Sequence, residues 1–391
     1  MLVRMRFRLF PLLMAATISV FVRAEESPLF KQAIAPRTFS FPADHGSHAG
    51  YQTEWWYVTG NVIDENEHPL GFQFTIFRRA IAAQDAAERG RKSAWAAGDI
   101  YLLHLAVSDP GAQRYVSGES TQRGVLGIAG ATDAEKMSPD TPVRIWMKDA
   151  EFTRTARGWT LKTSVETGGL KIRPTNRIKV ELDLVEALPP VLHGIAGEEG
   201  LSRKGPEAGQ ASYYYSVPRL QTSGTIEFDG KTFKIAKGLS WMDHEFGSNQ
   251  LSADQAGWEW FSIQLADGQA LMLYVLRKKN GSIESRSSGT WTDAGGRATH
   301  LALSDFELTP GRKWKSPHSG VEYTLAWTIA IPKHQAKFTV TAAQDDQEFQ
   351  SESSAGMNYY EGAVHVDGSI GGKSAAGEGY LEITGKLLSG L

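Results

Sequence analysis

The chain contains no cysteine. That absence excludes disulfides, thiolate metal sites, cysteine nucleophiles and a lipid-modified cysteine behind a leader. An excess of one charge is also missing. The 41 Lys and Arg are matched by 44 Asp and Glu, for a formal net charge of −3. So even a balance argues against a nucleic-acid partner or an anionic surface. Long apolar runs are scarce. Residues 9–22 form one of about 14, short of the roughly 20 that span a bilayer as a helix. Helical periodicity is scarce too, with residues 82–98 as the best candidate. No P-loop, dinucleotide fingerprint, HExxH zinc motif or GxSxG elbow in its strand-turn-helix setting is present.

Aromatic residues and glycine are plentiful. The 11 Trp and 40 Gly suit many short strands joined by tight turns. Runs such as 54–60, 71–79, 100–109, 143–149 and 177–186 are rich in β-branched and aromatic residues, and several alternate apolar with polar. Residues 187–211 break the pattern with Pro and Gly and read as a connection, either a linker or a loop folded over a barrel mouth. Strands resume at 212–218, 223–229, 232–246, 258–265, 270–278, 323–332, 337–343 and 379–385. About twenty strands exceed one small barrel, so an all-β pair of packed antiparallel barrels or sandwiches is expected, divided near residue 220.

The N-terminus reads as a secretory leader. Arg4, Arg6 and Arg8 precede the apolar run, and Val22-Arg23-Ala24 places small residues at the −3 and −1 positions. Cleavage near Ala24 is expected, with a signal peptide over 1–24, a first domain over 25–220 and a second over 221–391. An uncleaved anchor is the alternative. The mature protein is expected in the periplasm or secreted.

Three stretches could carry chemistry. In residues 41–60, Asp44, His45, His48 and Glu54 precede Trp55, Trp56 and Tyr57. Strand alternation puts Glu54 and Trp56 on one face, Trp55 and Tyr57 on the other. A Trp here commonly plugs a barrel floor, and the two histidines suit a loop that caps its own backbone. In LSWMDHEFGS (239–248), alternation places Trp241, Asp243 and Glu245 together, opposite Met242, His244 and Phe246. Two carboxyls roughly 7 Å apart in an apolar lumen would raise each other's pKa, leaving one as a general acid. Alternatively both pair with Arg or backbone groups at a barrel end. Neighbours on a flat strand point apart, so Asp243, His244 and Glu245 do not bind one ion, and no metal site is expected. In SYYYSVPRL (212–220), Tyr213, Tyr214 and Tyr215 give aromatic faces on both sides of a strand, and Arg219 could neutralise a carboxylate.

The blocks FPADHGSHAGYQTEWWYVTGN, LSRKGPEAGQASYYYSVPRLQTSG, GLSWMDHEFGS with GWEWFSIQL, and YYEGAVHVDG with GYLEITG resemble the carotenoid 1,2-hydratase and AttH-like family. They fall in the family's order over most of the mature chain. The resemblance implies two lipocalin-like (calycin-like) antiparallel β-barrel domains and a long, apolar, isoprenoid- or lipid-like ligand. It also implies cofactor-independent addition of water to a carbon–carbon double bond. By position, Asp243 would be the acid, and His244 or Glu245 would orient or deprotonate the water. Trp56, Tyr57, Tyr213, Tyr214, Tyr215, Trp241, Trp258 and Trp260 would line the ligand, with His45, His48, Glu54 and Arg219 as a further polar group. No cofactor is expected. Carotenoid hydratases work at the cytoplasmic side of the membrane, so an exported chain points to another substrate. Two readings stand beside hydration or isomerisation. One is a non-catalytic carrier or transporter accessory that shields a lipid-like ligand and meets transporter components. The other is a secreted hydrolase.

Overall fold

The computed structural model describes residues 30–83, 90, 93, 95–138, 141–167, 176–351 and 358–384. The expected leader lies outside them, as does much of the helical candidate at 82–98. The protein is nearly all-β, built of two curled antiparallel sheets. In the first, β1 (Thr53–Asp64), β2 (Pro69–Ala80), β3 (Asp99–Asp109) and β4 (Arg114–Arg123) form a meander. Strands β5 (Arg177–Glu186), β6 (Ala211–Phe228) and β7 (Lys231–Gly247) extend it on the other side. Because β1 pairs with β7, the order is β4-β3-β2-β1-β7-β6-β5, followed by shorter strands from Gly158–Glu166 back to Gly130–Ala131.

The second sheet contains β8 (Gln255–Leu265), β9 (Ala270–Lys278), β10 (Ser288–Thr292), β11 (Asn358–Ile370) and β12 (Lys373–Thr384), in the order β10-β9-β8-β12-β11. Strands Ala336–Ala342, Ala326–Ile331 and Glu307–Pro310 continue beyond β11. Sheet membership therefore changes between Gly247 and Gln255. The expected division at residue 220 falls inside β6, and the stretch 239–248 completes the first sheet rather than opening the second. The cause is long-range pairing: β7 docks on β1, placing His244 against Glu54 across 190 residues of sequence.

Alternation sets the cores. Phe72, Phe74 and Ile76 of β2 are fully buried inside the first sheet, where the rings of Phe152 and Trp159 stack at 4.3 Å. Truncating one such aromatic to alanine costs about 3–5 kcal/mol. The first sheet curls shut where β4 meets the end of Gly158–Glu166. A Cβ on Gly118 would lie 2.4 Å from the Glu166 carbonyl oxygen, so only glycine permits that approach. Phe261, Ile263, Leu273, Phe338 and Tyr360 fill the second sheet in the same way. Side chains thus pack both concave interiors.

The opposite faces meet in a seam. Tyr57, Tyr214 and Trp241 of the first sheet pack on Trp260, Met272, Tyr274 and Tyr380 of the second. The stretch expected as a connection is fastened down: Val191–Leu192 and Leu201–Arg203 pair with β6. It carries His193 and Lys204 into the interior, both buried.

Candidate active site

Strand β7 divides the expected site residues as alternation requires. Trp241, Asp243 and Glu245 face the seam; Met242, His244 and Phe246 face the first core. Two polar networks result, back to back across one strand.

The inner network begins in the short 3-10 turn Ala43–His45 and its following loop. His48 Nε2 lies 2.9 Å from Asp44 Oδ1, and its Nδ1 lies 2.8 Å from Glu54 Oε1. Both partners are acceptors, so both nitrogens carry hydrogen and His48 is an imidazolium. Burial pushes His48 down, but Asp44 and Glu54 outweigh it and raise its pKa above the ordinary histidine value. His244 Nε2 lies 2.9 Å from the same Glu54 oxygen, and its Nδ1 lies 2.9 Å from the Tyr215 hydroxyl. That hydroxyl in turn lies 2.6 Å from His45 Nδ1. Burial lowers the His244 pKa against the pull of Glu54, so this imidazole is neutral at pH 7. Burial also pushes Glu54 up, but His244 and His48 outweigh it and hold the carboxyl well below the usual glutamate range. Arg78 adds a contact of 3.3 Å to Glu54, and Arg37 one of 2.5 Å to Asp44. Donor atoms of His48, Glu54 and His244 converge within 4.8 Å, the spacing a metal ion would need. Here hydrogen bonds fill those positions, and an ion would have to displace the His48 proton.

The seam network is different. Asp243 Oδ1 accepts from Ser216 Oγ at 2.5 Å and Trp241 Nε1 at 2.6 Å, and Oδ2 accepts from the Tyr214 hydroxyl at 2.6 Å. Burial raises the Asp243 pKa to about 7; the three donors oppose the rise, and Glu245 adds to it. Glu245 accepts from Ser212 and lies 3.3 Å from Lys204 Nζ. That ammonium sits 4.0 Å from the Tyr274 ring centre and 4.9 Å from that of Tyr214. Two further acids border the seam. Glu382 accepts from Trp258 Nε1 at 3.0 Å, and burial, with Asp243 and Glu245 nearby, raises its pKa to about 8. Glu361 accepts from Tyr57 at 2.5 Å and is pushed well above the usual range by burial and by Glu382. The seam therefore holds three carboxyls of raised pKa, those of Asp243, Glu361 and Glu382, among Trp and Tyr rings.

The remaining expected residues sort onto the two faces. Tyr57, Tyr214, Trp241, Trp258 and Trp260 join Asp243 and Glu245 at the seam. Trp56, Tyr213 and Tyr215 lie on the inner side with His45, His48, Glu54 and His244. His244 therefore does not reach a water beside Asp243, and Trp56 and Tyr215 do not line that space; one strand thickness separates them. Arg219 neutralises none of these acids. Its Nη2 donates to the Leu265 carbonyl at 2.6 Å. Sequence reasoning missed His193, Lys204, Glu361 and Glu382. Lys204, Glu361 and Glu382 lie inside family-like blocks, and His193, within a Pro- and Gly-rich connection, carries no local pattern.

The chain belongs to the AttH-like family, whose model matches residues 32–386. The crystal structure of a protein from Nitrosomonas europaea assigned as an AttH has a TM-score of 0.74 at 32% identity, covering 91% of this chain and 100% of that one. Kievitone hydratase from Nectria haematococca has a TM-score of 0.60 at 14% identity, covering 92% and 96%, a likeness of fold. The fold is thus the pair of lipocalin-like half-barrels. No curated protein matches the sequence.

Proposed function

We propose that this is an exported AttH-like protein that takes a long, apolar, isoprenoid- or lipid-like molecule at the seam. There it hydrates or isomerises a carbon–carbon double bond by acid catalysis. The observation that carries the reading is Asp243, a buried carboxyl poised near neutrality among Trp241, Trp260 and Tyr214. An acid with a pKa near the working pH offers a proton and is still readily recharged. In hydration, Asp243 would protonate the less substituted alkene carbon and leave a tertiary cation at the other. The Trp241 and Trp260 faces would stabilise that cation. Water would then add to it and lose a proton to Glu245, giving a tertiary alcohol. In isomerisation, loss of a different proton from the cation would move the double bond.

The same surface without turnover would serve a carrier that hands its ligand to transporter components. What favours that second reading is closure: Asp243, Trp241 and Tyr214 are all buried, so a ligand enters only when the seam or its connector parts. Native mass spectrometry with lipid extraction, followed by incubation of isoprenoid alkenes in D2O, separates the two. Catalysis predicts deuterium on carbon and its loss in Asp243→Asn, by about 10²-fold or more. A retained ligand without deuteration would leave the carrier. An empty protein that deuterates nothing would sink both.

A further inference from the structure

We propose that His193 relays protons to Asp243 through Ser216, a role that rests on Asp243 acting as the acid of the reaction above. His193 Nε2 lies 2.6 Å from Ser216 Oγ, which donates to Asp243 Oδ1 at 2.5 Å. On its other side, His193 Nδ1 lies 2.8 Å from Thr290 Oγ1 of β10. The imidazole therefore bridges the connector, the first sheet and the second. His193, Ser216, Thr290 and Asp243 are each at least 96% buried, so the chain of contacts runs through the interior. At its outer end Thr290 stands directly across the ladder from His300. His300 lines a pocket of about 110 Å³ together with Gly194, Ser202 and Ser288, with room for water.

A serine hydroxyl donates in one direction at a time. When Asp243 is ionised, the Ser216 hydrogen points to Oδ1, and His193 holds its hydrogen on Nε2. When Asp243 is protonated, its acid hydrogen points to Ser216 Oγ, the Ser216 hydrogen turns to His193 Nε2, and His193 holds its hydrogen on Nδ1. Recharging is balanced. A proton from the pocket side, where His300 faces Thr290 across the ladder, reaches Nδ1 by way of Thr290. The Nε2 hydrogen passes to Ser216, and the Ser216 hydrogen passes to Asp243. One proton has entered, the carboxylate has become neutral, and the imidazole ends neutral in the other tautomer. Lys204 and His300 face His193, and burial with these two neighbours holds it well below the ordinary histidine value, so it does not trap the proton. Asp243 for its part faces Tyr214, Glu245, Lys204 and Glu382.

The test uses full-length protein labelled with ¹⁵N at histidine and ¹³C at aspartate carboxyls, titrated by NMR. Across the Asp243 transition, His193 should exchange its hydrogen from Nε2 to Nδ1. In Asp243→Asn and in Ser216→Ala, His193 should keep one tautomer throughout, with melting checked to confirm the fold. Ser216→Ala and His193→Gln should each lower kcat by roughly 10-fold to 100-fold at unchanged KM. A His193 tautomer that stays fixed in the wild type while Asp243 titrates overturns the relay. That failure is separate from failure of the reaction. Turnover that needs Asp243 with a fixed His193 keeps the acid and removes the relay. A coupled His193 without any alkene turnover keeps the relay and removes the hydration.

Discussion

The two faces of β7 are built from neighbouring residues yet obey opposite rules. On the inner face charges are matched: the Asp44 and Glu54 carboxylates meet His48, Arg78 and Arg37. Each ring nitrogen of His48 and His244 has a partner. On the seam face acids outnumber cations. Lys204 pairs with Glu245 and lies near Asp243, while Asp243, Glu361 and Glu382 have raised pKa values. A matched network holds its protons fixed and ties a fold together. An acid-rich one keeps protons available, which is what a general acid needs.

The sharpest way to break the contrast is Glu54→Gln. It removes the charged acceptor shared by two histidines and leaves the buried His48 and Arg78 cations with Asp44 and Asp99 alone. A loss of about 3–5 kcal/mol in urea unfolding is expected. A loss under about 1 kcal/mol would put the inner network on a par with surface pairs.

Asp243→Asn should act in the other direction. The carboxyl is raised from 3.8 to about 7 in the folded protein, so protonation favours the fold. Below about pH 4 both states hold the proton and the group has no effect. As pH climbs from 4 through 7 the unfolded chain gives up its proton first, and wild-type stability falls by on the order of 4 kcal/mol. The Asn variant lacks that fall, so its stability relative to wild type should improve by that amount between pH 4 and 8. Parallel profiles for the two proteins would mean that Asp243 ionises as freely as a surface acid.

The smallest effect is expected from metal removal. Hydrogen bonds join His48, Glu54 and His244, so treatment with a chelator should move Tm by less than about 1 °C. A drop of several degrees would show that an ion shares the inner face and that its matched charges are incomplete.

Period-two alternation made much of this legible. It separated Asp243 and Glu245 from His244, and Glu54 and Trp56 from Tyr57, because side-chain direction on a strand is local. The family-like blocks carried the double-barrel fold. What alternation does not contain is the identity of the neighbour. That β7 lies beside β1, and that the Asp243 side meets a second sheet rather than a lumen, depend on pairings between distant segments. His193 and Lys204 were hidden for the same reason. Their connector has no period, and its place was set by two short pairings with β6.

The division of β7 also bears on how the chain finds its register. A slip of one residue against β1 and β6 would turn Asp243 and Glu245 into the first core, among Phe72, Phe74 and Trp159, and turn Met242 outward. Two carboxyls would then lie in apolar surroundings without Ser216, Tyr214 or Lys204, and His48 would lose a network neighbour in His244. The alternating acids and imidazole thus act as a key cut on both edges: the strand that supplies the acid chemistry fits its slot in one position and rejects the next.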